Sequence, residues 1–143
     1  MTKAELRDAI AVQIAAYATA PLSDLEVKNR PQADYEDADG SVVISYEGGE
    51  ERPIGIGDQF YDVHTFRIIA RIPFTEAHAD IENICKQLRY VLRDNRQISA
   101  GGDTARLISA MEWNDEMWDA DNERLLNECF VVVTYQVKQE ATS

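Results

Sequence analysis

The chain has 143 residues, the usual length of one domain, and 45% of them are hydrophobic, which is enough for a core. Its 26 acidic and 14 basic residues give a formal net charge of −12. This excess of acid argues against wrapping nucleic acid and against binding anionic membranes, because both need clustered Lys and Arg. The chain also lacks a signal-peptide pattern at its start and a run of the ~18 apolar residues that a membrane span needs, so we expect synthesis in the cytoplasm.

The chain opens with a predicted helix over Lys3–Thr19. Thr2 and Glu5 have the Thr-x-x-Glu spacing of a capping box, which favours a helix start at this point. Apolar residues follow at helical spacing, and Ala20-Pro21 is expected to end the helix.

The next segment predicts two main strands. Leu25 and Val27 could begin a short strand before a turn-rich, acidic stretch. Ser41–Glu47 alternates as a strand does, and residues 50–58 are consistent with either a bulged edge or a loop. Phe60–Phe74 predicts a long strand.

In that long strand the two faces differ. The even positions, such as Phe66 and Ile68, are largely apolar and should face the core. The odd positions include Arg67 and Arg71, so the second face should meet water or a partner.

We interpret a second helix, Thr75–Ile98, as the element around which the rest is organised. Thr75 can cap it, and Gly101 and Gly102 are expected to end it. One stripe of the helix is apolar at three- and four-residue steps: Ile81, Ile84, Cys85, Leu88, Val91 and Leu92.

The last third of the chain predicts a second strand pair. Thr104–Trp113 forms the first strand, Asn114–Asn122 an acidic loop, and Asn127–Gln139 the final strand. Residues 130–133 are apolar on both faces of the final strand. Either a central strand covered on both sides or a subunit interface would explain this run, so Val131 and Val133 are candidate interface residues.

Together these elements predict an α+β fold in the order αββαββ. The sheet should be mainly antiparallel, with four or more strands, because the links within each strand pair are too short for a crossover helix. Two helices should pack on one face of the sheet, in a single domain over residues 1–143. Residues 1–2 and 140–143 are expected to fray.

The negative charge is concentrated in two stretches. Residues 34–62 hold nine acids and one base, a net of −8, and residues 112–128 hold seven acids and one base, a net of −6. These stretches are either a solvated surface or a rim that meets a basic partner or lines a negative channel. Trp118 lies among charges and is hard to bury, so it either folds back as a lid on the sheet edge or serves as an anchor, as exposed aromatic residues often do at interfaces. Besides Arg67, Arg71 and the two valines, the candidate partner residues are Trp118, Glu50, Glu51, Asp115, Glu116, Asp119 and Asp121.

No catalytic or metal-binding motif is apparent in the sequence. Asp119, Asp121 and Glu123 alternate like the start of a calcium loop, but Arg124 and Phe130 stand where such a loop needs Gly and Glu. No nucleophile elbow or phosphate-binding glycine loop occurs. We therefore expect no cofactor, no metal and no enzymatic activity.

The order of elements resembles the tail terminator and tail-completion (head-tail joining) proteins of long-tailed bacteriophages. The resemblance lies in an amphipathic first helix, a long hairpin, a longer second helix and a final strand pair. It is carried by two stretches, TKAELRDAIAVQIAAY at the start and TARLISAMEW with ECFVVVTYQV near the end.

This resemblance implies a structural virion protein of the tail–neck region. Such proteins form a ring, usually of six copies, on the last ring of the tail tube, and present a surface to the head connector protein. The implied partners are the chain itself, the tail tube protein and the head connector, with no sequence-specific contact to nucleic acid. The alternative is a small acidic adaptor or immunity-type protein that binds one basic protein at 1:1.

Overall fold

A computed structural model describes residues 1–28, 41–53, 60–72, 78–100, 102–114, 117–119 and 124–138. For residues 24, 28, 78–80, 110–114, 117–119 and 124–128 it describes the backbone alone. The helices are α1, Lys3–Tyr17, and α2, His78–Asp94, with a short 3-10 helix at Leu22–Asp24. The strands are β1, Glu26–Lys28; β2, Ser41–Pro53; β3, Phe60–Ile72; β4, Gln97–Ala100; β5, Asp103–Asn114; β6, Met117–Asp119; and β7, Arg124–Lys138.

The strands form a mixed sheet in the order β1-β2-β3-β7-β5-β4, and β6 pairs with the start of β7. The α+β class with two helices is thus confirmed, but the simple αββαββ order is wrong in detail. Three short strands were missing from it or only suggested, and β1 runs parallel to β2. The long strands pair antiparallel as predicted.

Both helices pack into one core with the inner face of the sheet. The apolar stripe of α2 is buried as predicted, from Ile81, 1% exposed, to Leu92, 0% exposed. Leu6, Ile10 and Ile14 of α1 belong to the same cluster. The predicted capping box is confirmed: the Glu5 amide donates to the Thr2 hydroxyl at 3.1 Å, and the Thr2 amide donates to the Glu5 carboxylate at 3.2 Å.

The second helix ends four residues before the predicted boundary. Asn95 follows its last turn and donates a side-chain hydrogen bond to the Val91 carbonyl at 2.8 Å. The chain then enters β4, where Ile98 is buried as a strand residue. Gly102, at φ +82, lies in the tight β4–β5 turn rather than at a helix end. The predicted cap at Thr75 lies outside the described residues.

Strand β2 is longer than predicted because a bulge carries it past the glycines. The register with β3 shifts between Tyr46 and Gly48, and Gly48 has φ +149, a conformation that favours glycine. Residues 50–53 therefore continue as a strand, so for this part of residues 50–58 the edge-strand alternative is confirmed and the loop is wrong.

Strand β7 is central, between β3 and β5. Cys129, Val131, Val133, Tyr135 and Val137 point into the core and are at most 3% exposed. Burial in the core thus explains why Val131 and Val133, two of the four residues in the run 130–133, are apolar. The predicted acidic loop after β5 contains β6, which extends the sheet beside the first residues of β7.

Candidate partner interface

Within the described ranges, the two long strands β2 and β5 have strand partners along only part of their outer sides. Strand β1 pairs with Ser41–Val43, and no described strand lies beside the rest of β2. Strand β4 pairs with β5 as far as Arg106, and the Leu107 amide still donates to the Arg96 carbonyl at 2.7 Å. Beyond that point no strand within the described ranges lies beside β5. Unpaired strand edges are ready sites for a strand from another chain.

The exposed half of β2 carries a row of acids, Glu47, Glu50 and Glu51, which we call the acidic edge. All three residues are exposed. Glu47 lies 3.4 Å from the Arg67 Nε atom, and Glu50 accepts a hydrogen bond from the Arg52 Nε atom at 2.6 Å. These ion pairs are on the surface, where their contribution to stability is small and sensitive to salt.

A basic cleft lies between α2 and β5. Its lining includes Arg89, Tyr90, Arg93 and Arg96 of α2 and its end, and Leu107, Ile108 and Ser109 of β5. Its volume is about 320 Å³. We call it the arginine cleft.

Internal contacts hold the wall of the arginine cleft in place. The Arg93 guanidinium stacks 4.5 Å from the centre of the Tyr90 ring, and the Arg96 Nε atom donates to the Arg93 carbonyl at 3.1 Å. Tyr90 is 41% exposed and Ile108 is 40% exposed, so the cleft offers apolar surface as well as charge. A guanidinium group is well suited to bind carboxylates because its donors match their two oxygens.

A third surface lies on the outer face of the sheet. The Arg67 guanidinium lies 4.9 Å from the centre of the Phe130 ring, and Val132 stands opposite Arg67 across the strand pair. The side chains of Phe130 and Val132 are both half-buried. Arginine and aromatic residues are both enriched at contact surfaces between proteins, so this face is a candidate contact surface.

The predicted interface residues whose side chains are described fall into two groups, one on the surface and one buried. Arg67, Glu50 and Glu51 are on the surface, as expected. Arg71 is only 9% exposed, and Val131 and Val133 are 0% exposed. Because alternate residues of a strand point to opposite faces, the two valines lie in the core, and the outer face of β7 presents Phe130 and Val132 instead.

The predicted tryptophan site lies largely outside the described residues. Trp118 and Asp119 belong to strand β6, for which the backbone alone is described. Asp115, Glu116 and Asp121 fall in undescribed segments. Their part in a partner surface therefore stays a prediction.

The one described histidine side chain is in a structural pair. His64 Nδ1 and the Tyr46 hydroxyl are 2.9 Å apart, and both groups are half-buried. Burial lowers the pKa of His64 and raises the pKa of Tyr46. The pair lies beside Phe66, whose ring packs edge-on against Tyr46 at 5.2 Å.

The described residues offer little for other chemistry. No group of three His, Cys, Asp or Glu among them could hold a metal ion. Among the described helices, none is both long enough and apolar enough to cross a membrane.

The arginine cleft was not singled out from the sequence, although a signal for it was present. Arg89, Arg93 and Arg96 are spaced four and three residues apart, which places them on one side of a helix. The balance of charges on α2 is nearly neutral, and this masked their clustering. The position of Ile108 could not be read from sequence because a register shift between Leu107 and Ser109 sets it.

Comparison with known proteins supports the fold. No family model and no curated protein matches the chain. A solved structure without a functional description is similar over 100% of this chain and 99% of its own, with a TM-score of 0.62 and 14% identity. A chain of the virion of a native gene transfer agent (GTA) particle is similar over 94% of this chain and 96% of its own, with a TM-score of 0.53 and 14% identity.

Proposed function

We propose that this chain is a structural protein of a phage-like virion, which closes the tail tube as a ring and joins it to the head connector. The observation that carries the proposal is the similarity of nearly the whole fold to a chain of a gene transfer agent virion. The order of helices and strands that suggested a tail terminator agrees with it. The proposed location is the tail–neck region of the virion, after synthesis in the host cytoplasm.

The surfaces of the molecule are suited to assembly. A ring needs heterologous contacts, in which one patch meets a different patch of the next copy. The acidic edge and the arginine cleft are two such different patches, and the outer face around Phe130 supplies a further contact for a tube or connector protein. The proposal includes a ring of about six copies, no enzymatic activity and no cofactor.

The net charge is consistent with a passage for DNA. Copies with a net charge of −12 would form a negatively charged ring, which repels the negatively charged phosphates of DNA. DNA could then pass through the opening without adhering, and no sequence-specific contact is part of the proposal.

The test is deletion of the gene in the phage-like element that encodes it. Without a terminator, tube growth has no stop, and heads have nothing to join. We expect tail tubes of uneven and excessive length and unjoined heads in electron micrographs, with both defects corrected by a plasmid copy. Normal particles from the deletion strain would refute the proposal.

The exposed acidic edge also favours the alternative of an acidic adaptor that binds a basic protein at 1:1. The two functions differ in self-association. An adaptor should stay monomeric and bind its partner in equal amounts, whereas the proposed terminator should form rings.

A further inference from the structure

The arginine cleft lies where the described part of β4 stops pairing with β5. Strand β4 stays beside β5 up to Arg106, and the cleft is lined by the three residues that follow. Any strand that continued the sheet from this edge would therefore run beside Arg89, Arg93 and Arg96.

The local charge of this region is opposite to that of the chain as a whole. Residues 86–106 hold five bases and two acids, a net of +3, in a chain whose net charge is −12. One of the two acids, Asp94, hydrogen-bonds Arg93 at 3.1 Å, and the other, Asp103, pairs with the amino group of Met1. The arginines that line the cleft would attract an acidic strand at short range.

The acidic edge is such a strand, and its direction is suitable. Strand β2 runs antiparallel to β3, β3 to β7, and β7 to β5, so β2 runs antiparallel to β5. A second copy placed in the same orientation beside β5 would present its own β2 antiparallel to it, which is the pairing that two neighbouring strands favour.

The positions of the two edges that no described strand covers also suit a closed ring. Strand β1 covers β2 at its Ser41 end, whereas β4 covers β5 at its Asp103 end, and these are opposite ends of the sheet. Through the registers of the sheet, Glu50 and Glu51 are level with Arg106 and Ala105, where β4 lies beside β5. A shift of neighbouring copies along the strand direction is therefore needed to bring these acids beside residues 107–109. Strands that close into a cylinder show such a shift, since closure requires tilted strands.

We infer that the arginine cleft of one copy binds the acidic edge of the next copy, so that Arg93 and Arg96 contact Glu50 and Glu51 around the ring. This inference rests on the proposed function, because it assigns the contact that would build the ring. Charged edge strands can instead serve to prevent edge-to-edge aggregation, and the following experiment separates the two roles.

The experiment measures assembly of the full chain by sedimentation velocity over a concentration series at low salt. Two charge-reversal variants are each compared with a control. The control for Arg93→Glu is Lys86→Glu, because Lys86 is exposed on the same helix but does not line the cleft. The control for Glu50→Lys is Glu82→Lys, because Glu82 is an exposed acid on α2. Each test variant should need about tenfold more protein to assemble, because it places like charges opposite each other. The controls should assemble as the wild type does.

Mixing the two test variants gives the decisive result. In a ring of Arg93→Glu copies alone, the new glutamate faces Glu50 of the next copy, so like charges meet. When these copies alternate with Glu50→Lys copies, the new glutamate faces the new lysine at one contact and Arg93 faces Glu50 at the other, so opposite charges meet at both. An equimolar mixture should therefore recover the wild-type assembly concentration, since six positions can alternate. Added salt should weaken wild-type assembly and the mixture alike.

The outcomes that would contradict this inference differ from those that would contradict the proposed function. Wild-type rings together with unaffected test variants, or impaired variants that the mixture does not rescue, would overturn the contact and leave the terminator function standing. A wild-type chain that forms no ring, in solution or on the ends of tail tubes, would overturn both.

Discussion

Tyr135 provides a sharp test of the packing of this sheet. Its side chain is 0% exposed in the core, and its hydroxyl has no hydrogen-bond partner among the residues that the structure describes. The same burial raises the pKa of Tyr135 well above its usual value, because the charged form would be without water. A hydroxyl that loses water without gaining a partner costs about 1–3 kcal/mol.

Replacing Tyr135 by Phe removes that hydroxyl and keeps the ring in place. We expect Tyr135→Phe to raise the free energy of unfolding by about 1 kcal/mol, at the lower end of the range because the small space left behind offsets part of the gain. The assay is urea unfolding followed by circular dichroism, with a check that the slope of the transition is unchanged.

The matched control is the same chemical change at Tyr46, whose hydroxyl is 2.9 Å from His64 Nδ1. Here removal of the hydroxyl deletes a hydrogen bond, so Tyr46→Phe should lower the free energy of unfolding by about 1 kcal/mol. Opposite signs for the two variants would support the reasoning. A loss of stability in Tyr135→Phe equal to that of the control would refute it, since it would show that the buried hydroxyl is hydrogen-bonded.

Three further predictions concern single features of the fold. Thr2→Ala should lower the free energy of unfolding by about 1 kcal/mol, because the first turn of α1 loses its cap. Thr2→Ser keeps a capping hydroxyl and should retain most of that stability, and thermal unfolding of both variants measures the difference. Gly48→Ala should cost about 1–3 kcal/mol through its φ of +149, since no atom of the described residues lies within 4 Å of the added methyl group, and Ser45→Ala in the same strand should cost less. Burial lowers the pKa of His64, so the folded chain binds fewer protons than the unfolded chain; stability should fall as the pH drops below about 6.5 and stay level above it, and His64→Gln should flatten the urea midpoints between pH 5 and 7.5.

Periodic apolar patterns predicted the main elements well because burial enforces them. The stripe of α2 from Ile81 to Leu92 lies in the core as expected, and so do the even positions of β3 from Phe66 to Ile72, whereas His64 is half-buried. The boundaries failed where tertiary contacts override local preference. Ile98 continues the helical spacing in sequence, but β5 offers it a strand partner, and the chain leaves the helix at Asp94 to reach it.

The partner surface was harder to predict because strand periodicity does not tell which face is covered. In the run from Phe130 to Val133 every side chain is apolar, so sequence could not say that Val131 faces the core and Val132 faces outward. The arginine cleft depends on the pairing of β5 with β4 and β7, which brings residues of β5 beside α2. Such long-range register is set by the whole sheet.

The most direct test of the terminator account is the mass of the purified chain across a concentration series, with and without isolated tail tubes, by analytical ultracentrifugation and electron microscopy. The account predicts closed rings of about six copies, either in solution or seated on tube ends. A chain that remains a monomer at high concentration and leaves tube ends bare would contradict it.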